Sequence, residues 1–136
     1  MSRRRKAREI AVQLLFKDDF NPDQQSLDDI FVAARLNNDS ALIKLARDLI
    51  DGVRTNRPSI DAEITSLLDN WKLDRLSGTE RNILRLGIYE ILFTDTPGPV
   101  VLNEAIEIAK RYGNEQSHQF VNGVLDKFLK KQIASN

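Results

Sequence analysis

The sequence predicts an all-α fold of about seven helices, arranged around the stretch from Ser77 to Phe93. Three observations support this. Apolar residues recur at three- and four-residue spacing through most of the 136 residues, with no β-alternation, internal repeat or low-complexity tract. Helix-boundary signals punctuate the chain at Pro58, Ser77, Pro97-Gly98-Pro99 and Gly113. The stretch SGTERNILRLGIYEILF is apolar at 83, 84, 86, 88, 89, 91, 92 and 93, which at ~100° per residue point in nearly every direction. A helix that is apolar all round is enclosed by protein or membrane. This one is too short and too interrupted to span a bilayer, which needs ~20 apolar residues. It is therefore read as the central rod of a helical domain covering 1–136.

The first helix is expected from about Ser2 to Asp18, with Ala7, Ile10, Ala11, Leu14 and Leu15 forming its core stripe. Phe16 lies ~180° from Ala7, with Arg5, Glu9 and Val12 near it on the outer side and Arg8 flanking them; it either contacts RNA or tucks under the following loop, covered by Phe20 and Pro22. Asn21 to Gln25 reads as a loop around Pro22. Ser26, with Asp29 three residues on, caps a second helix running to about Leu36, which Asn37-Asn38-Asp39-Ser40 breaks. A third helix faces Leu42, Leu45, Leu49, Ile50 and Val53 inward. A break at Asn56-Arg57-Pro58 starts a fourth, with Pro58 in its first turn. That helix carries Ile60, Ile64, Leu67, Leu68 and Trp71, the last as a core anchor.

Ser77 and Glu80 have capping-box spacing and open the central helix. Arg85 and Glu90 interrupt its apolar run, and buried charges need partners. Five residues apart, they stand roughly 140° from each other, so each is expected to meet an opposite charge on another helix. After Pro97-Gly98-Pro99 the next helix holds Val101, Leu102, Ala105, Ile106 and Ala109, with Lys110 and Arg111 in its last turn and Gly113 as its C-cap. Asn114 to Ser117 caps the final helix, which packs Val121, Val124, Leu125, Phe128 and Leu129 and frays from Lys130.

Formal net charge is zero, so no global field draws the chain to nucleic acid, yet five of its 20 lysines and arginines fall among the first eight residues. The absence of cysteine excludes disulfides and thiolate chemistry. Without an apolar segment after the basic start, no signal peptide is read, and a cytoplasmic protein is the default. There is no phosphate-cradling glycine loop and no nucleophile elbow. The single histidine, His118, reads as a capping or surface residue. Glu104-x-x-Glu107 lacks the imidazole of a di-iron motif. No catalytic residue, metal or cofactor is expected. What remains is an aromatic ring among arginines, the combination that nucleic-acid binding uses. A polar helix start at Asn114 to Phe120 adds N–H groups that attract phosphate. Side by side, the two would line a groove for single-stranded RNA.

The strings RRRKAREIAVQLLF, TERNILRLGIYEILF and LNEAIEIAKRYGNEQSHQFVNGVLDKF resemble the NusB family of bacterial transcription antitermination factors. The likeness covers nearly the whole chain; it is most specific from Asn103 to Asp126 and weakest between Pro22 and Leu36. It implies two stacked three-helix bundles around the helix near residue 85. It also implies binding of the boxA element of nascent ribosomal RNA jointly with NusE, a small-subunit ribosomal protein. NusA, NusG and RNA polymerase complete the implied assembly, and whether the chain is a monomer or a homodimer stays open. The RNA-binding residues carried over are Arg4, Arg5, Lys6, Arg8 and Phe16, with Glu115, Gln116, Ser117, Gln119 and Phe120 as a second element. The implied NusE-facing surface includes Asp74, Glu80 and Arg81. Gln116 stands where relatives often have a carboxylate, and Gln119 where some have lysine. The alternatives are a helical scaffold that binds only protein, and the RNA-binding domain of an RNA cytosine methyltransferase.

Overall fold

The computed structural model describes residues 3–23, 25–69 and 72–135; the expected helix start at Ser2 and core anchor Trp71 lie outside them. The described residues form α1 (Arg3–Asp18), α2 (Asp28–Arg35), α3 (Ser40–Leu67), a 3-10 turn (Leu73–Arg75), α4 (Gly78–Phe93), α5 (Gly98–Tyr112) and α6 (Ser117–Ser135). No strand is present among them, so the all-α reading holds.

Helix α4 starts where its sequence puts it. Ser77 Oγ accepts from the Glu80 N–H at 3.1 Å, and Glu80 Oε1 accepts from the Ser77 N–H at 3.4 Å. Every residue from Asn82 to Ile88 is buried, because α1, α3, α5 and α6 all pack on this helix. It therefore belongs to two groups of three, α1–α3–α4 and α4–α5–α6, while α2 rests on α1 and α3. The enclosure ends before the apolar run does: Leu92 and Phe93, expected inside, are exposed. Gly87 faces Leu125 of α6, and a β-carbon there would lie 2.8 Å from Leu125 Cδ1. Since Leu125 is itself fully buried, Gly87→Val is expected to destabilise by about 1–3 kcal/mol through overpacking. Urea denaturation measures this; an unchanged midpoint would mean that Leu125 can turn aside.

The predicted break at Asn56-Arg57-Pro58 does not occur, and α3 runs through it for 28 residues with Pro58 inside. Proline costs a helix interior ~3 kcal/mol through a lost N–H and a clash. Here both flanks are anchored. Ile50 and Val53 before it and Ile60 and Ile64 after it are fully buried, and Arg54 and Arg57 are tied to Asp18 and Asp19 at 2.7 Å each. Packing thus holds the two expected helices as one, and the count becomes six. Helix α2 begins at Asp28 without the expected Ser26 cap. The Asp28 carboxylate is turned instead to Lys17 at 3.0 Å and Arg54 at 2.7 Å. Asn37 and Asn38 end the α2 region as expected, both left-handed with φ of 53° and 57°, which asparagine tolerates. Helix α6 does not fray at Lys130 but continues to Ser135. Gly113 does cap α5, in an extended conformation rather than a left-handed one; a side chain there would collide with Ser117.

Candidate nucleic-acid interface

The α1 residues expected outside divide into two sets. Arg8 is only 3% exposed, and Glu9 and Val12 are buried too. Arg8 donates from Nε to Glu90 Oε2 at 3.0 Å and from Nη2 to Oε1 at 2.9 Å, while Nη1 lies 3.6 Å from Glu104. This corrects the outward placement of Arg8. Helix α1 packs against α3, α4 and α5, so more of its circumference is covered than a single apolar stripe suggests. Arg5 is half-buried and donates to Glu104 from Nη2 at 2.7 Å. Arg3 and Arg4 are exposed and Lys6 is partly so. The basic start thus fans out over several flanks instead of forming one stripe.

Phe16 remains on the surface, 38% exposed. Its ring lies 5.2 Å from that of Phe20, and one edge covers the backbone of Gly78, where a β-carbon would collide with it. It thus packs against the following loop and still leaves part of the ring open.

The start of α6 is built by Asn114, whose Oδ1 accepts from the Gln116 and Ser117 N–H groups at 2.9 and 3.1 Å. Ser117 is buried and donates its hydroxyl to Glu80 Oε2 at 2.9 Å, which makes it a brace rather than an open contact. Glu115, Gln116 and Gln119 are exposed, and Phe120 is partly buried beside Leu67, Leu68 and Lys127. One chain of contacts now joins the two elements. Phe16 covers Gly78, which opens α4; Glu80 caps that opening and also holds Ser117 at the start of α6. The end of α1 and the start of α6 are therefore both fixed to the beginning of α4.

Residues 5–130 match the model described as the NusB family. The chain belongs to the NusB family. It is 44% identical to the transcription antitermination protein NusB of Pseudothermotoga lettingae, over 96% of this chain and 93% of the relative. It superposes on T. maritima NusB with a TM-score of 0.82 and 41% identity, over 96% and 92% of the two chains. A further likeness, with a TM-score of 0.85 and 29% identity over 96% and 98%, is to a crystal structure of the antitermination factors NusB and NusE in complex with dsRNA.

Of the residues that the NusB resemblance places toward NusE, only Asp74 is fully presented, on the 3-10 turn. Glu80 is turned back to Ser77 and Ser117. Arg81 donates to the Leu73 and Leu76 carbonyls at 3.3 Å each and pairs with Asp19 at 3.2 Å, bracing the turn that carries Asp74. Asp19 is a hub. It also accepts from Arg57 at 2.7 Å and from Arg85 and Asn82 at 2.9 Å each. Burial pushes its carboxyl up, but the hydrogen bonds from Asn82 and Arg85, with the charges of Arg85 and Arg81, outweigh this and hold it below the usual carboxylate range. Both charges inside α4 have the cross-helix partners expected of them. Glu90 meets Arg8 of α1, and Arg85 meets Asp19 just past α1 and Asp61 of α3, at 2.8 Å from Asp61.

Sequence reasoning missed Arg111 and Tyr112 at the end of this NusB-family α5. Arg111 pairs with Glu9 at 3.3 Å and lies 5.4 Å over the Tyr112 ring, and both side chains stay well exposed. Glu9 precedes Phe16 by seven residues on the same side of α1, so Arg111 reaches that side of α1 from α5. The string Lys110-Arg111-Tyr112 was the available signal, but it reads first as ordinary basic termination of a helix. Among the described residues no group of three His, Cys, Asp or Glu could hold a metal, and no helix is long and apolar enough to cross a membrane.

Proposed function

We propose that this chain binds boxA-type single-stranded RNA on the surface shared by α1 and the start of α6, jointly with NusE, as the first step of an antitermination complex. NusA, NusG and RNA polymerase complete that complex in the cytoplasm, and residues 1–136 act in it as one domain. The observation that carries this reading is the start of α4, where the partly exposed Phe16 covers Gly78 and Glu80 holds Ser117 at the start of α6. Arg4 and Lys6 supply charge for phosphates; Phe16, Tyr112 and Phe120 supply rings; Gln116 and Gln119 supply hydrogen-bonding amides. Arg5 contributes while held by Glu104, whereas Arg8 supports the surface from beneath through Glu90. Asp74 faces the protein partner, with Arg81 fixing its turn. The closely related relatives are antitermination proteins matched over nearly their whole length, which favours this reading over a methyltransferase domain.

A salt series separates stacking from charge. Phe16→Leu keeps an apolar cover on Gly78 while removing the π face, and it is expected to weaken boxA binding about fivefold or more with little change in salt dependence. Arg4→Gln is exposed and should reduce the slope of log K against log salt by about 0.7. If both variants, still folded, bind as the parent does at every salt concentration, α1 is not the RNA surface and the protein-only scaffold is the better reading.

A further inference from the structure

The basic start of α1 has a second flank, which the proposed interface touches only at Lys6. Arg3 and Lys6 face the turn between α2 and α3, where with Arg35, Asn37, Asp39 and Leu42 they line a groove of about 390 Å³. Three cations face this groove and one carboxylate does. Asp39 pairs with Arg3 and caps α3 through the Leu42 N–H at 3.2 Å, so its charge is already engaged. Among the described residues neither Lys6 nor Arg35 has a carboxylate partner. Arg35 is nonetheless held in place, with its guanidinium 5.2 Å above the Phe31 ring. The two left-handed asparagines bend the chain sharply here, and Asn37 lines the far rim. Their backbone N–H groups are spent on the end of α2, at 3.4 Å from the Ala34 carbonyl and 2.9 Å from that of Ala33. The groove therefore offers cations and the Asn37 side-chain amide, and no bare helix terminus.

We propose that this groove is a second phosphate-contact site, which takes the backbone of RNA running on from the α1–α6 surface. The inference rests on the reading above, because Lys6 belongs to both. Lys6 and Phe16 are ten residues apart on α1, about 15 Å, and the groove continues past Lys6 to Arg35, so a strand stacked at Phe16 reaches Arg35 only when it extends beyond the core element. A phosphodiester chain suits the site better than an acidic peptide does. Two of the three cations stay unneutralised although the chain as a whole has zero net charge, and an RNA backbone brings a phosphate to them with every nucleotide.

The test uses the full chain together with NusE, a core boxA RNA and the same RNA extended at either end. Binding is measured across a salt series for the parent, Arg35→Gln and Arg35→Lys, with circular dichroism to confirm folding. One extended RNA is expected to bind the parent with a steeper salt dependence than the core RNA. Arg35→Gln should lower that slope by about 0.7, leave the core RNA untouched, and be rescued by Arg35→Lys. Equal slopes for core and extended RNAs would overturn the second site while leaving the first intact, as would Arg35→Gln weakening both RNAs alike. Failure of the parent to bind even the core RNA would remove the underlying reading and this one with it.

Discussion

Glu90→Ala is expected to cost about 3–5 kcal/mol, because it leaves the Arg8 guanidinium buried without its main counter-charge. The two side chains are 4% and 3% exposed, and the guanidinium–carboxylate contact is bidentate. Glu104, at 3.6 Å, is already engaged by Arg5 and cannot take the place of Glu90 without releasing it. Chemical denaturation compares this variant with Glu115→Ala, an exposed substitution expected to stay within about 0.5 kcal/mol. Equal, small losses would mean that Glu104 alone satisfies Arg8. The α1–α4 pair would then contribute little to the fold.

Asp19→Ala is expected to cost a similar amount, about 3–5 kcal/mol, by removing the carboxylate shared by Arg57, Arg81 and Arg85. Asp61 still pairs with Arg85, while Arg81 keeps only the carbonyls of Leu73 and Leu76. The Asp19 carboxyl is held below its ordinary value of 3.8, so its contribution is fully present above that value and is lost as pH falls through the lower folded value. The stability gap between the parent and Asp19→Asn should stay constant from about pH 7 to about pH 5 and close only in stronger acid. A gap that closed within the milder range would assign the linkage to another group. Loosening of the 3-10 turn should accompany the loss and show as faster amide exchange at Arg75 and Leu76.

How much was readable in advance depended on whether a residue's environment is local. The capping box at Ser77 and Glu80 involves residues three apart, and spacing alone located it. The need of Arg85 and Glu90 for partners was equally legible, since charges interrupt an apolar run. The partners were not, because Arg8 lies 82 residues from Glu90 and Asp19 lies 66 from Arg85. The continuity of α3 through Pro58 has the same origin, since proline marks a break locally and only the distant Asp18, Asp19 and α4 hold the two halves in line. Arg8 was misplaced because one apolar stripe implies one neighbour, and α1 has several. Arg111 escaped notice for the opposite reason: the helix C-terminus accounts for a cation locally, and nothing in the spacing pointed to Glu9. In the proposed interface, Phe16 and the α6 start were legible as separate elements. Their common attachment to the start of α4 follows only from the packing of α4.

A fluorescence titration of labelled boxA RNA with the full chain, with and without NusE and at low and high salt, tests the proposed interface most directly. The α1–α6 surface predicts salt-sensitive RNA binding that tightens when NusE is present. RNA affinity that NusE leaves unchanged, or no binding in either condition while NusE itself still binds the chain, would contradict it.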